Sequence, residues 1–310
     1  MLTSRDLDRL DGLGPSRTRH PHVGSLVGVM CITCRPRGRL AGRNLAHIRR
    51  VAPCAGPHDQ GRSEGRSSVP MPTNARVTVA VDSEATVDAA AANGIHEVLV
   101  DVDVGCLRCG CRPSDAGRLA DRARAAGLEV RGVMGYEGQL MMEPGPTRAE
   151  RVEAAMALLL AAHADVGGGV GSGGGTGTCR ENRGGTELQA GSYTLMDTAY
   201  GSTDLPFRPA LVLWLTVISV HPDGWAVADG GLKALGMDHG DPTVVDHQIV
   251  YCSDEHTTFA PGPAGTLPRV GDRVRVLPAH VDPTVAYHER MHLVRDDEVL
   301  GTWAVDLRGW

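Results

Sequence analysis

The sequence predicts an α/β unit of parallel βα repeats followed by a mostly antiparallel β domain, with an irregular segment in front. Three observations carry this. Apolar runs of strand length alternate with capped amphipathic stretches between about residues 75 and 166, the pattern of parallel βα units. After about residue 205 the helical period stops, and short apolar runs are separated by turn formers such as His221-Pro222-Asp223-Gly224. Residues 1–70 sustain neither a period of 2 nor one of 3.6, apart from a strand-like run from Ser25 to Thr33. The expected domains are residues 1–74, irregular or disordered; 75–204, a partial βα array; and 205–310, a β domain.

Each element follows from local chemistry. Val77-Thr78-Val79-Ala80-Val81 is a short apolar strand, and Ser83 caps a helix that ends near Gly94. Glu97 to Asp103 is a second strand. Pro113 opens a helix with Ala116, Leu119, Ala120 and Ala123 on one face, closed by Gly127. Glu129 to Tyr136 is a third strand. Thr147 and Glu150 have the spacing of a capping box, ahead of a helix that carries Val152, Ala155, Met156 and Leu159. A glycine-dense turn or strand and then Glu187 to Tyr193 complete the series. Beyond it, Leu211 to Val220, Trp225 to Asp229, Gln248 to Cys252, Arg273 to Leu277, Met291 to Arg295 and Val299 to Asp306 read as strands, with no further helix.

Composition bounds the function classes. With 42% hydrophobic and 22% charged residues the chain resembles an ordinary globular protein. Its longest apolar run, Ala210 to Val220, is too short to span a bilayer. The N-terminus has no secretory pattern, so a cytoplasmic protein is expected, with no membrane partner and its eight cysteines reduced. The net charge of −6 hides an asymmetry: residues 1–70 carry 12 Arg against 5 Asp and Glu. A basic arm can bind nucleic acid, but this one contains no aromatic residue to stack on bases, so no nucleic-acid partner is expected. Cys31-x-x-Cys34 and Cys106-x-x-Cys109-x-Cys111 have metal-like spacing without the second pair or the histidines that a zinc site needs.

Several blocks carry chemistry. In Gly173-Gly174-Gly175-Thr176-Gly177-Thr178 the glycines let backbone approach an anion and the threonines add hydroxyls, so inward-facing amides there would hold a phosphate. No Gly-Lys-Ser/Thr ending follows, which argues against a nucleotide P-loop. Asp101-Val102-Asp103-Val104-Gly105-Cys106-Leu107-Arg108 puts an arginine beyond a strand's C-terminal end, where parallel βα folds place their sites, although the spacing alone fits a surface arginine in a loop better. Gly135-Tyr136-Glu137-Gly138 ends the next strand in the same way. In Pro278-Ala279-His280-Val281-Asp282-Pro283, His280 and Asp282 would share a face of extended backbone, readable as a joint grip on one cation or as a polar turn. Ser253-Asp254-Glu255-His256 is a further polar cluster, readable as a supporting network or as a charged loop.

In order, the blocks DVDVGCLRCG, GVMGYEG, GGGTGT, TELQAGSYTLMDTAY, PDGWAVADGGLKALGMDHG, CSDEHTTF and PAHVDPT resemble D-threonine aldolase and its relative D-serine dehydratase, over roughly residues 75–310. The resemblance implies a pyridoxal-phosphate lyase with a partial alanine-racemase-like barrel and a homodimeric assembly. It implies that Gly175, Thr176 and Gly177 hold the cofactor phosphate, that Arg108 lies near the ring's phenolic oxygen and that Tyr136 lies near the ring. It further implies that His280 and Asp282 bind a divalent metal (Mn, Mg or Zn) that orients the β-hydroxyl of a small-molecule D-amino acid. The implied reaction cleaves D-threonine or a related D-β-hydroxy-α-amino acid to glycine and an aldehyde. Aspartate at 282 favours the aldolase pattern over the dehydratase pattern, which has cysteine there. The chain departs from the family in three ways. It lacks the family's early strands, has Gln139 where histidine is common, and contains one lysine, Lys233, in the β domain, so no catalytic Schiff-base lysine is identifiable. A dehydratase-like lyase and a non-catalytic truncated remnant are the alternatives.

Overall fold

The computed structural model describes residues 77–263, 265–295 and 298–305; expectations for residues 1–74, including Cys31 and Cys34, lie outside them. The chain divides between Gly191 and Ser192 into two compact units.

In the first unit, five strands form one parallel sheet in the order β1 (Thr78–Val81), β2 (Glu97–Asp101), β3 (Glu129–Gly135), β4 (Val170–Gly173) and β5 (Glu187–Leu188). Three helices, α1 (Glu84–Ala92), α2 (Ala116–Ala125) and α3 (Gly145–Val166), connect the first four strands. Ser83 begins α1 with a reciprocal cap: its Oγ accepts the Thr86 N–H at 3.3 Å, and its own N–H donates to Thr86 Oγ1 at 3.0 Å. One face of β2 (Val98, Val100) and the adjoining Val102 are buried with Leu119 and Ala123 of α2 and with Val152, Met156 and Leu159 of α3. Burying a valine or leucine in this way stabilises by about 1.5–3 kcal/mol. This apolar layer fixes the helices and leaves the C-terminal ends of the strands to carry polar loops.

Two local expectations differ from the structure. Thr147 and Glu150 form no capping box, because α3 starts earlier, at Gly145, with Pro144 as its cap residue and a proline in its first turn. Proline's preset φ and missing N–H suit that position, so no side-chain cap is required. The Glu187–Tyr193 segment pairs only over its first two residues and then turns through Ser192–Thr194.

The second unit contains a short helix, α4 (Thr198–Gly201), ahead of the sheets. Its main sheet has six strands in the order β8 (Thr243–Val244), β11 (Arg273–Leu277), β6 (Leu213–His221), β7 (Trp225–Ala228), β10 (Thr257–Pro261) and β9 (His247–Cys252). All of its pairings are antiparallel, as the sequence predicts. Alternation on β6 sends Leu213, Leu215 and Val217 into a core shared with Phe259, Val274 and Val276. A two-stranded sheet, β12 (Arg290–Arg295) with β13 (Glu298–Ala304), stands beside it in sequence.

Helices do not stop at residue 205. Val281–Tyr287 forms α5, with Val281, Thr284 and Val285 buried at helical spacing. Pro283 sits in the first turn, where its missing N–H costs nothing. Among the described residues no helix is long and apolar enough to cross a membrane.

Candidate functional site

In the first unit, the residues expected to hold a phosphate and a ring collect at the C-terminal edge of the parallel sheet. Arg108 follows β2, Tyr136 follows β3, and the loop 174–178 follows β4. The Arg108 guanidinium carbon lies over the Tyr136 ring, 5.1 Å from its centroid, a cation–π contact between two residues 28 apart in sequence. Tyr136 also packs beneath the glycine loop, since a Cβ added at Gly175 would stand 3.1 Å from Tyr136 Cε2 and 2.5 Å from Met141 Sδ.

The loop's internal bonding was not foreseen from its glycines. Glu137, fully buried, accepts the Gly174 N–H at 2.9 Å through Oε2. Through Oε1 it accepts the Thr178 hydroxyl at 2.8 Å and the Asn182 amide at 3.0 Å. Gly175 N–H donates in turn to Thr178 Oγ1 at 3.1 Å. The amides of Gly174 and Gly175 are therefore used within the protein, and a carboxylate rather than an anion site organises that side of the loop. Gly177 is demanded by packing, because a Cβ there would meet the Met141 carbonyl oxygen at 2.0 Å. Thr176, 2% exposed, and Gly177 complete the loop. Gln139 is exposed and donates to the Val104 carbonyl at 3.5 Å.

Asp101, at the end of β2, is 9% exposed. Burial pushes its carboxyl up to about 7, with repulsion from Asp82 and Asp103 adding to the shift and Arg108 opposing it. The neighbouring cysteines Cys106, Cys109 and Cys111 are in no disulfide, and burial raises Cys111 to about 11, which keeps it protonated and a poor ligand.

In the second unit, among the described residues the one cluster of three or more ligand-type side chains is Asp238, His239 and His280, whose donor atoms lie within 4.8 Å of one another. His280 Nδ1 is 2.7 Å from Asp238 Oδ2, and its Nε2 is 3.5 Å from Asp282 Oδ2. The His239 and His280 rings stack with centroids 3.8 Å apart. His280 and Asp282 do approach each other, but not across an extended strand as the spacing suggested. His280 is the extended N-cap residue of α5, and Asp282 lies in that helix's first turn.

This donor set suits a divalent cation. With Nδ1–H donating to Asp238, the Nε2 lone pair faces a carboxylate oxygen at 3.5 Å. A proton or a metal ion held there would satisfy both. Burial alone would lower the His280 pKa. Hydrogen bonds to Asp282 and Asp238 outweigh it and raise the pKa above the ordinary value. Asp238 and His239 escaped the sequence reading because they lie about forty residues upstream of His280; their adjacency in the GMDHG block was the available signal.

The other polar candidates resolve simply. Ser253–His256 is an exposed turn between β9 and β10. Lys233 pairs with its Glu255, and its Nζ lies 3.9 Å from Asp254. The lysine side chain is 66% exposed, and the hydrogen bond to Glu255 raises its pKa. A lysine that forms an imine needs the opposite environment, one that releases its proton.

Two family models match the chain: the alanine racemase N-terminal domain over residues 64–196, and the putative serine dehydratase domain over residues 210–294. The D-threonine aldolase of Arthrobacter sp. is 34% identical over 266 residues, a match spanning 76% of this chain and 68% of that protein. The 3-hydroxy-D-aspartate aldolase of Paracoccus denitrificans (strain Pd 1222) is 34% identical over 265 residues, with the same two coverages. The crystal structure of D-threonine aldolase from Filomicrobium marinum superposes with a TM-score of 0.69 at 32% identity, covering 74% of this chain and 69% of that one. The fold is shared further with D-threo-3-hydroxyaspartate dehydratase from Delftia sp. HT23, at a TM-score of 0.65 and 24% identity over 76% of this chain and 74% of that one.

Proposed function

Because this chain belongs to the D-threonine aldolase family, we propose that it keeps that family's divalent-metal site while lacking the amine that would carry a pyridoxal-phosphate cofactor. Its substrate class, by this reading, is a D-β-hydroxy-α-amino acid, the class to which the compounds in its relatives' names belong. His280 and Asp282 would ligate the metal, Asp238 would hold the outer imidazole nitrogen, and His239 would pack against the His280 ring. A cation there would bind a hydroxyl oxygen and make it more acidic. Oxygen-rich ligation suits Mn²⁺ or Mg²⁺ as well as Zn²⁺.

The cofactor fits this chain only in part. Arg108 would lie near its phenolic oxygen and Tyr136 near its ring, and the stretch Gly175, Thr176 and Gly177 would lie beside its phosphate, with the Gly175 N–H already committed to Thr178. Its aldehyde has no partner, since the chain's single lysine is exposed and ion-paired with acidic neighbours. That observation carries the proposal. Asp282 favours an aldolase-type over a dehydratase-type ligand set, because a carboxylate stands where the latter has a thiolate.

The test is incubation of the full chain with Mn²⁺, pyridoxal phosphate and D-threonine, measuring glycine. No glycine above the rate given by the free cofactor and metal is expected. Enzyme-dependent release of glycine would overturn the reading.

A further inference from the structure

Outside the ligand set, two fully buried polar side chains tie together the segments that carry it. Thr284 Oγ1 donates to the His280 carbonyl at 2.6 Å and accepts the Gly236 N–H at 2.8 Å. Asp197 accepts the Val281 N–H at 2.9 Å through Oδ2, and through Oδ1 it caps α4 by accepting the Tyr200 N–H at 2.9 Å. Both residues are 0% exposed.

From this arrangement we infer that Thr284 and Asp197 are positioning residues for the metal ligands. The inference rests on the reading of His280 as a ligand. One hydroxyl, used as donor and acceptor at once, joins the backbone that bears His280 to the loop that bears Asp238 and His239. That loop reaches the joint because Gly236 has no side chain: a Cβ there would stand 2.3 Å from Pro283 Cγ. Gly236 and His280 also form an isolated antiparallel bridge, so the hydroxyl closes a backbone contact already made. Asp197 fixes the peptide between the two proposed ligands, since Val281 is the residue that separates His280 from Asp282. Together the two side chains set where the Asp238 carboxylate meets Nδ1 of His280 and where Asp282 meets Nε2.

Buried acceptors aimed at backbone amides could serve folding alone, and the two roles predict different results. A merely structural hydroxyl would change stability and leave the metal's affinity and coordination in the folded protein untouched. A positioning hydroxyl changes both, because outer partners of metal ligands typically alter affinity by about 10–100-fold.

The experiment is an Mn²⁺ titration of the full chain followed by electron paramagnetic resonance, with urea unfolding of each variant in parallel. Wild type is expected to bind one Mn²⁺, and His280→Ala to lose it. Thr284→Val, which keeps the shape and removes the hydroxyl, is expected to weaken Mn²⁺ by about 10–100-fold and to broaden the spectrum of the bound ion. Thr284→Ser, which restores the hydroxyl, is expected to recover affinity and line shape even though it loses a buried methyl. Asp197→Asn keeps one acceptor and gives a second reading should Thr284→Val not fold; a several-fold loss of Mn²⁺ affinity is expected. Unchanged affinity and spectrum in folded Thr284→Val and in Asp197→Asn would overturn the inference while leaving the metal site standing. Wild type that fails to bind Mn²⁺, or binds it equally after His280→Ala, would overturn both.

Discussion

The Asp238 carboxylate lies 2.7 Å from Nδ1 of His280, which commits that nitrogen to carry a proton and turns Nε2 toward Asp282. The same oxygen of Asp238 is 3.9 Å from His239 Nε2. Two sequence segments about forty residues apart thus set the tautomer and the tilt of one imidazole. Neither segment alone says that it does so.

Asp238→Ala should weaken divalent-metal binding by about 10–100-fold, as loss of a carboxylate behind a ligating histidine does. Asp238→Asn should weaken it less, because its amide oxygen still accepts from Nδ1–H. Competition with a metal-sensitive dye measures both. Equal affinity in wild type and the alanine variant would remove Asp238 from the site.

Glu137 is the anchor of the glycine loop. Glu137→Gln places an NH₂ where Glu137 now accepts from Gly174 or from Thr178 and Asn182, so two donors face each other in a buried position. A loss of about 1–3 kcal/mol in urea unfolding is expected. A change smaller than a few tenths would mean that the loop is held by something else.

The glycines of that loop are not equivalent. Gly177→Ala sets a methyl against a backbone carbonyl that cannot move without shifting the segment at Met141, and should cost about 1–3 kcal/mol. Gly175→Ala meets first the flexible Met141 side chain, and should cost less. Thermal unfolding of the two variants ranks them, and the opposite order would contradict the packing described.

Asp101 makes stability depend on pH. Its folded carboxyl titrates at about 7 against an ordinary value of 3.8, so between those values the folded chain holds a proton that the unfolded chain releases. The contribution is fully present below about pH 4 and is lost as pH rises through about 7. Asp101→Asn, a neutral isostere, should flatten that part of the profile and gain on wild type at pH 8. Urea midpoints measured from pH 4 to 8 check this; parallel profiles for the two proteins would contradict it.

The parts that were legible in the sequence are those fixed by local period. The alternation of Leu213, Leu215 and Val217 shows a one-sided strand, and Ser83 with its following helix shows a cap, because neighbours in sequence are also the interacting partners. The α5 helix was missed because it is seven residues long and contains Pro283, too short for a period to register. The phosphate reading of the loop saw its glycines but not Glu137, whose carboxylate arrives from the end of the preceding strand. The cluster around His280 was half legible: His280 and Asp282 are two apart, whereas Asp238 reaches them only through the joint of Gly236 against His280.

By the proposed reading, this chain has no lysine placed to hold pyridoxal phosphate. The most direct test is to add one equivalent of the cofactor to the full chain, reduce with borohydride and map the peptides by mass spectrometry. No stoichiometric adduct at Lys233 is expected, and no imine absorption that saturates at one equivalent. A single saturable adduct at Lys233, lost in Lys233→Arg, would contradict the account.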